Sequence, residues 1–236
     1  MTLTALSLPM PAEAFSELFP LFKAANPDTL KALHQGSTFN ECPAGRTVLM
    51  EDSWGNAIYL VASGWAKVRC QSGNGYVTLA MLGKGDYFGE MAVLDESPRS
   101  TDVAALSNVE LVSIPAQIFI QTLFKDPQLH HRMLQMMVKR LRQTHTRFQL
   151  RNKAPGIKLV HTLVGLAESY GEPRGSAVEI FNIPESDLAA IADIKLSEVS
   201  KILTKLSDRS WLNIDANRDV ISLLDMKSLK HLSKLG

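Results

Sequence analysis

The spacing of hydrophobic and polar positions changes along the chain, and each change predicts a different kind of element. Residues 12–35 repeat apolar positions at helical spacing, with a break near Pro27. From Thr47 to about Pro115, short β-prone runs are separated by Gly-rich turns. The runs are TVLM, AIYLVAS, WAKVRC, YVTLAML, DVAAL and VELVSI. Many short strands at this spacing predict a sandwich or barrel.

A long amphipathic helix is predicted after the strands. A short helix over Gln117–Phe124 precedes it, and Pro127 then opens a helix that runs to about Lys153. Apolar positions alternate spacings of three and four residues, which is the heptad pattern of a two-helix seam. The seam positions are Leu134, Met137, Leu141, Thr144 and Phe148, with His130 and Arg151 in the same register. We favour a homodimer through this helix; packing against its own domain is the alternative.

The pattern after the long helix predicts a helix-turn-helix. Pro and Gly in Asn152–Gly156 end the long helix and mark a hinge. A helix over Ile157–Ser169, a loop over 171–175 and the strand VEIFNI follow. Two helices, Glu185–Asp193 and Leu196–Ser207, are then joined by a tight turn. The strands WLNI and VISLL form a wing, and the second helix would enter the major groove of DNA.

These patterns together predict an α+β chain in three segments. Residues 1–126 form the β-rich domain, 127–153 the dimerisation helix and hinge, and 154–236 the winged helix-turn-helix domain. No signal peptide or transmembrane run is visible, so we expect a cytoplasmic protein. Cys42 and Cys70 are isolated thiols, too few for a disulfide framework or an iron–sulfur cluster. We expect no metal site.

Charge is unevenly distributed. Residues 127–153 carry seven Lys and Arg and no acidic residue, whereas residues 154–236 carry ten against eleven. The balance in this last domain counts mildly against nucleic-acid binding. Cations nevertheless outnumber acids over 195–209, and phosphate contacts need only a few cations on the correct face. We favour DNA binding; a small α+β domain without a DNA role is the alternative.

The stretch Phe88–Leu106 carries the most informative chemistry. Gly89 admits a ligand close to the backbone, and a short helix starting at Glu90 would offer free N–H groups to an anion. Arg99 matches two phosphate oxygens, while the Glu90 carboxylate suits a sugar hydroxyl instead of a phosphate. Hydroxyl donors follow at Ser100 and Thr101. The stretch predicts a site for one phosphate and one sugar hydroxyl; a surface Arg–Glu ion pair is the alternative.

This string resembles the phosphate-binding cassette of cyclic nucleotide-binding domains, through Phe88, Gly89, Glu90, Ala92, Leu94, Pro98, Arg99 and Ala104. Over about residues 15–225 the chain resembles the CRP/FNR family of bacterial transcription regulators, in the branch that binds cyclic AMP. The resemblance implies an N-terminal β-roll that binds cyclic AMP or cyclic GMP as an effector, with no cofactor. It also implies a homodimer on a palindromic double-stranded operator, with RNA polymerase as a further partner.

The resemblance also implies roles for individual residues. Gly89 and Glu90 would meet phosphate and ribose, and Arg140 would approach Glu90. Thr144 would touch the purine edge across the dimer. The implied ligand-binding set is Val68, Leu79, Leu82, Gly89, Glu90, Met91, Ala92, Arg99, Ser100, Thr101, Arg140, Thr144 and His145. The implied DNA-binding set is Lys195, Leu196, Ser197, Glu198, Ser200, Lys201, Lys205 and Arg218.

The chain departs from the family pattern at several of these positions. His145 stands where a serine is expected, which leaves the choice between adenine and guanine open. Leu196 replaces a base-reading arginine, and Ser197 replaces a glutamate. Because a leucine can only touch a thymine methyl, the operator should differ or specificity should be weaker. Asp193 occupies the turn position that usually holds Gly, and Asp tolerates a left-handed backbone better than most residues.

Enzyme and gas-sensor functions are not favoured. The sequence has no Ser-His-Asp, metal or nucleophile constellation and no Walker-type phosphate loop. Its histidines lack a spacing diagnostic of haem ligation. We therefore predict an effector-switched, homodimeric, DNA-binding transcription regulator that is not an enzyme. The alternative is a nucleotide-binding module with a degenerate helix-turn-helix and weak or no sequence-specific DNA binding.

Overall fold

A computed structural model describes residues 11–73 and 75–234, in two compact units, Met1–Leu141 and Arg142–Gly236. The helices are α1 (Ala12–Leu18), α2 (Pro27–Gly36), α3 (Glu90–Leu94), α4 (Ala116–Lys125), α5 (Pro127–Gln149), α6 (Pro155–Tyr170), α7 (Glu185–Ala192), α8 (Leu196–Asp208) and α9 (Met226–Ser233). The strands are β1 (Thr38–Cys42), β2 (Thr47–Leu49), β3 (Ala57–Ser63), β4 (Ala66–Ser72), β5 (Gly75–Leu82), β6 (Tyr87–Phe88), β7 (Asp102–Ala105), β8 (Val109–Pro115), β9 (Glu172–Arg174), β10 (Ala177–Phe181), β11 (Leu212–Asp215) and β12 (Val220–Leu223). Short 3-10 turns occupy Pro20–Phe22 and Leu150–Asn152.

Two antiparallel sheets form the β-roll of the first unit, in the orders β1-β8-β3-β6 and β2-β7-β4-β5. Successive side chains of a strand point to opposite faces, and β8 shows the consequence. Val109 and Leu111 join an apolar cluster that includes residues of both sheets. Val112 and Ile114 join a second cluster with the helices. The two faces of β8 therefore contribute to two separate parts of the core of the first unit.

The helices of the first unit cover the second cluster with aromatic and aliphatic side chains. Phe15, Phe19 and Phe22 pack there with Leu129 and Met133 of α5. The buried Asp126 carboxylate fixes the start of α5, because it accepts the N–H groups of Asn26 (2.8 Å), Gln128 (3.0 Å) and Leu129 (3.2 Å). The same carboxylate thus joins α5 to α2 across a separation of 100 residues.

The second unit is a winged helix-turn-helix. Helix α6 packs on α7, α8 and α9, and the sheet order is β11-β12-β10-β9. Hairpin β11–β12 forms the predicted wing. Buried apolar residues from both layers form its interior: Leu159, Leu163, Leu188, Val199, Leu203, Leu206, Leu212, Ile221 and Leu223. Among the described residues, no helix combines the length and the hydrophobicity that a bilayer crossing requires.

The predicted α+β fold class is confirmed, with several local differences. The predicted loop over 171–175 is wrong: Glu172–Arg174 is β9, paired with β10 through a turn at Gly175. All β9 residues are exposed, so no apolar alternation marked it as a strand. The long helix ends as an α-helix at Gln149, with a 3-10 turn before the hinge. The boundary between the two units falls inside α5, and the three-segment division stays a prediction.

Candidate functional site

The second residue of the cassette is a glycine in a left-handed backbone conformation. Gly89 has φ +83° and precedes the short helix α3. A Cβ atom there would lie 2.3 Å from Nη1 of Arg99, well inside van der Waals contact. Both the left-handed backbone and the close approach of the guanidinium therefore require glycine at this position.

Arg99 is a buried guanidinium held by the backbone. Its side chain donates from Nη1 to the Gly89 carbonyl (2.8 Å) and from Nη2 to the Ala57 carbonyl (2.9 Å). The residue is 4% exposed, and no carboxylate among the described residues lies within 4.0 Å of it. Burial lowers the pKa of Arg99, although Tyr59 and Glu90 oppose that shift. A guanidinium carries five N–H donors, so donors remain for a ligand.

The loop before β3 holds the Arg99 backbone. The Arg99 N–H donates to the Ser53 carbonyl, and the Asp52 N–H donates to the Arg99 carbonyl, both at 2.8 Å. A Cβ atom on Gly55 would lie 3.0 Å from the Ala92 Cβ and 3.4 Å from the Arg99 Cζ. These positioning residues were missed from the sequence, where the only signal was the glycine at 55.

Glu90 and Arg140 form the second charged element of the site. Arg140 Nη1 donates to Glu90 Oε1 at 2.6 Å, and Nη2 donates to the Tyr87 carbonyl. The Arg140 Cζ lies 3.9 Å from the centre of the Tyr87 ring. Burial alone would lower the pKa of Arg140, but Glu90, Tyr87 and Asp86 together raise it. Because only Oε1 of the buried Glu90 binds Arg140, the carboxylate keeps a second oxygen for another donor.

Tyr87, under that guanidinium, is buried with a hydroxyl that has no hydrogen-bond partner among the described residues. Burial raises its pKa to about 12, against the lowering effect of Arg140. The phenol therefore stays neutral, and its ring face attracts the Arg140 cation. This aromatic platform fixes the guanidinium that holds Glu90.

The other residues of the predicted ligand set are divided between buried and exposed positions. Ala92 is buried on α3 beside Gly55, and Leu82 and Val68 pack in the cluster that includes both sheets. Thr101 is half-buried. Four further positions are exposed: Leu79, Met91, Ser100 and Thr144. Of these, Leu79 lies at a bulge in the edge strand β5. His145 is exposed as well; it and Thr144 lie on α5 in the second unit.

Helix α5 carries two apolar faces. Leu129 and Met133 are buried in the first unit's core. The predicted seam positions Leu134, Met137, Leu141 and Phe148 are instead between 40% and 72% exposed in the single chain. Large exposed apolar side chains repeating along one helix are typical of a surface that packs on another helix.

The helix-turn-helix presents its predicted outer face to solvent. Val199, Leu203 and Leu206 of α8 are buried, and Leu196 is 52% exposed. Five further members of the predicted DNA-binding set are also exposed: Lys195, Ser197, Ser200, Lys201 and Lys205. Among the described residues, no carboxylate forms an ion pair with the three lysines. Their charges are available to an external polyanion.

Three members of the predicted DNA-binding set bind other protein groups. Glu198 accepts the N–H of Lys195 at 2.9 Å and so caps the start of α8. Ser200 donates its hydroxyl to Glu185. Arg218 makes two bonds to Glu179, at 3.0 and 2.7 Å, and this pairing lowers the pKa of Glu179. Each of these bonds would compete with the DNA contact predicted for that side chain.

The described part of the chain contains no side-chain cluster suited to a metal ion. There, no three His, Cys, Asp or Glu side chains gather as a metal ion needs. Cys42 and Cys70 are free thiols, and burial raises the pKa of Cys42.

Comparison with known proteins agrees with both halves of this description. The cyclic nucleotide-binding domain model matches residues 39–126, and the Crp-like helix-turn-helix domain model matches residues 157–232. The chain is 24% identical over 206 residues to the CRP-like cAMP-activated global transcriptional regulator of Mycobacterium tuberculosis, covering 86% of this chain and 92% of that protein. It is 28% identical over 197 residues to the Cyclic AMP receptor protein of Thermus thermophilus, covering 83% and 88%. The solved structure of FixK2 from Bradyrhizobium japonicum matches with a TM-score of 0.72 at 16% identity, covering 83% of this chain and 96% of that chain, and it bears on the fold alone.

Proposed function

Because its cyclic nucleotide-binding domain and Crp-like helix-turn-helix domain make the chain a member of the CRP/FNR family of transcription regulators, we propose that it is a homodimer that binds DNA under the control of a cyclic purine nucleotide. Cyclic AMP is the first candidate effector, and cyclic GMP is the alternative. RNA polymerase is the further partner that a transcriptional role would need.

The buried guanidinium of Arg99 carries the effector proposal. Burying a cation without an ion-pair partner is costly. Two carbonyl oxygens accept hydrogen bonds from Arg99, and Tyr59 and Glu90 favour its charged form, but no described carboxylate pairs with it directly. A single ring-closed phosphate brings one negative charge and matches the remaining donors of the guanidinium. The Glu90 carboxylate, held by Arg140 on the neighbouring helix, supplies the acceptor for a ribose hydroxyl.

The exposed stripe of α5 and the cationic face of α8 support the other parts of the proposal. Pairing the stripe with a second copy would cover Leu134, Met137 and Leu141 and place two recognition helices in one molecule. A two-fold dimer reads a palindrome, with one half-site in each major groove. Lys201 and Lys205 would contact phosphate, while Leu196 and Ser197 would face base edges.

The test is a titration of labelled DNA with the full-length protein. Duplexes are first selected from a random library in the presence of cyclic AMP, and affinity is then measured with cyclic AMP, with cyclic GMP and without nucleotide. We expect the correct nucleotide to raise DNA affinity at least tenfold. A ligand switches an equilibrium only through different affinities for two states, so equal DNA binding in all three conditions would reject the switch.

A nucleotide-binding module with little sequence-specific DNA binding is the second candidate. The engagement of Glu198 and Arg218 within the protein favours it, because these side chains are then withheld from bases and phosphates. Leu196 points the same way, since it offers no hydrogen bond to a base edge. Selection that enriches no palindrome, with cyclic nucleotide binding intact by calorimetry, would favour this candidate.

A further inference from the structure

Lys158 is a buried lysine of the second unit, and its ammonium group binds a residue of the helix-turn-helix. The residue lies on α6 and is only 8% exposed. Its ammonium donates to the Asp193 carbonyl at 2.9 Å and to Asp193 Oδ2 at 3.1 Å. Lysine is almost never buried unless it is paired, so these two bonds account for its position.

Asp193 is the residue at which the chain turns between α7 and α8. It has φ 52° and ψ 54°, a left-handed backbone that costs a residue with a side chain more than it costs glycine. Its carboxylate is exposed, so the ion pair with Lys158 places that side chain without burying a second charge. Lys158 holds both the backbone and the side chain of the strained residue.

The position of this turn determines where α8 begins. Asp193 is followed by Ile194 and then by Lys195, which occupies the N-cap position of α8. The backbone of Lys158 lies in the first turn of α6, where its N–H donates to the Ala154 carbonyl at 3.2 Å. One side chain therefore connects the helix that follows the hinge to the start of the recognition helix.

We propose that Lys158 is a positioning residue that sets the orientation of α8 for base reading. This inference rests on the proposed DNA-binding function. A misplaced α8 loses contacts to base edges, which need exact register, but keeps most phosphate contacts, which do not carry sequence information. The ratio of specific to non-specific affinity is therefore the diagnostic quantity.

The first experiment compares Lys158→Met with the unchanged protein, both saturated with cyclic AMP. The probes are the selected duplex and a shuffled duplex of the same composition. We expect affinity for the selected duplex to fall at least tenfold, with affinity for the shuffled duplex and for cyclic AMP within about twofold of the unchanged protein, because electrostatic contacts dominate non-specific binding. Wild-type specificity in Lys158→Met would overturn the inference, whereas a parent protein that enriches no duplex would reject the proposed function instead.

Three variants separate positioning from general loss of charge. Lys230→Met removes another lysine of the same unit, one paired with Glu168 at 2.8 Å on the surface, and should leave the ratio unchanged. Lys158→Arg retains a cation that can reach both oxygens and should restore most of the specific affinity. Asp193→Gly relieves the left-handed backbone and should partly suppress the defect of Lys158→Met. An equal defect in Lys230→Met, or no recovery in either of the other two, would overturn the inference.

A second measurement needs no DNA. Hydrogen exchange of the full chain should accelerate over 193–198 in Lys158→Met and stay unchanged over α9, which shows that the unit remains folded. Exchange over 193–198 identical to that of the unchanged protein would overturn the inference even if no operator is found.

Discussion

The charged residues of the cassette and the lysines on the outer face of α8 are held in opposite ways. In the cassette, Arg99 and Glu90 are 4% and 5% exposed, and each bonds to a fixed group of the protein. On α8, Lys201 and Lys205 are exposed and have no acidic partner among the described residues. In the proposed function, a small ligand would meet side chains that are already held in place, whereas DNA would meet exposed lysines that no described protein group holds in place.

This difference has an energetic meaning. Holding the cassette side chains in advance means that less conformational entropy is lost when a ligand binds, which favours affinity for a small molecule. In the proposed complex with DNA, the exposed lysines of α8 would instead gain much of their binding free energy from the release of counterions on the nucleic acid. Substitutions in the cassette should therefore have large, ligand-specific effects, and substitutions on α8 smaller ones that depend on salt.

The largest effect is expected from Arg99→Leu. This change removes the only cation that we place against the phosphate, together with charge-assisted bonds worth roughly 1.5–3 kcal/mol each. We expect cyclic AMP affinity to fall about a hundredfold or more by isothermal titration calorimetry. Arg132→Leu is the control, because Arg132 belongs to the same unit but donates to the Pro20 carbonyl at 3.1 Å. Unchanged affinity in Arg99→Leu would remove the basis of the proposed site.

Gly89→Ala should have the next largest effect on cyclic AMP affinity, for a steric reason. The new Cβ would lie 2.3 Å from Arg99 Nη1 and would displace the guanidinium. We expect cyclic AMP affinity to fall about tenfold or more, the loss of roughly one charge-assisted bond. Gly45→Ala is a matched control, because Gly45 has φ +82° and nothing within 4 Å of a Cβ atom. If both variants lose nucleotide affinity equally, backbone strain and not Arg99 is responsible.

A buried charge also contributes to the stability of the first unit. Burial would raise the pKa of Asp126, but the N–H groups of Asn26, Leu129 and Gln128 and the Thr29 hydroxyl hold it below its usual value. A folded pKa below the unfolded value of about 3.9 gives stability that is complete above that value and is lost as pH falls through the folded pKa. Asp126→Ala should therefore cost about 1–2 kcal/mol at pH 7, as for other lost helix caps.

Urea denaturation of the Asp126→Ala variant and the unchanged protein from neutral pH to about pH 3 tests this sign. The stability difference should shrink as the solution becomes more acidic. Asp28→Ala, an exposed carboxylate on α2, should change stability by less than about 0.5 kcal/mol and show no such convergence. A difference that stays constant with pH would show that packing, not the charge of Asp126, is lost.

Much of the cassette was predictable from the sequence because its chemistry is carried by side chains. The residue pattern predicted Arg99 and Glu90 as binding residues, and the structure shows both as buried groups; their contacts with a ligand stay a prediction. The Ala57 carbonyl that binds Arg99 was not predictable, since a backbone oxygen leaves no mark in a residue pattern. Strand β1 was missed because Asn40 and Glu41 interrupt its apolar alternation, although Asn40 is buried and bonded to Ser113.

In the second unit, prediction from the sequence was limited in a different way. Residue types along α8 correctly predicted which face is buried, since Val199, Leu203 and Leu206 repeat at helical spacing. They did not predict that Glu198 caps the helix, because a carboxylate three residues into a helix can serve either the cap or a base. On an exposed helix face, the residue pattern predicts where a side chain lies but not which group it bonds to.

The smallest effect, on α8, tests whether an exposed side chain nevertheless reads a base. Leu196 is 52% exposed at the first position of α8, and a thymine methyl is the base-edge group it suits. Replacing thymine by uracil removes one methyl group, worth about 0.8 kcal/mol when buried, so affinity for the selected duplex should fall about fourfold at the contacted position. Leu196→Ala should bind both duplexes alike, because the apolar partner is gone. Uracil at a thymine outside the half-sites serves as the control. An equal penalty for uracil in Leu196→Ala and the unchanged protein would mean that the methyl acts through DNA shape, and α8 would then be a phosphate-binding surface without base readout at its start.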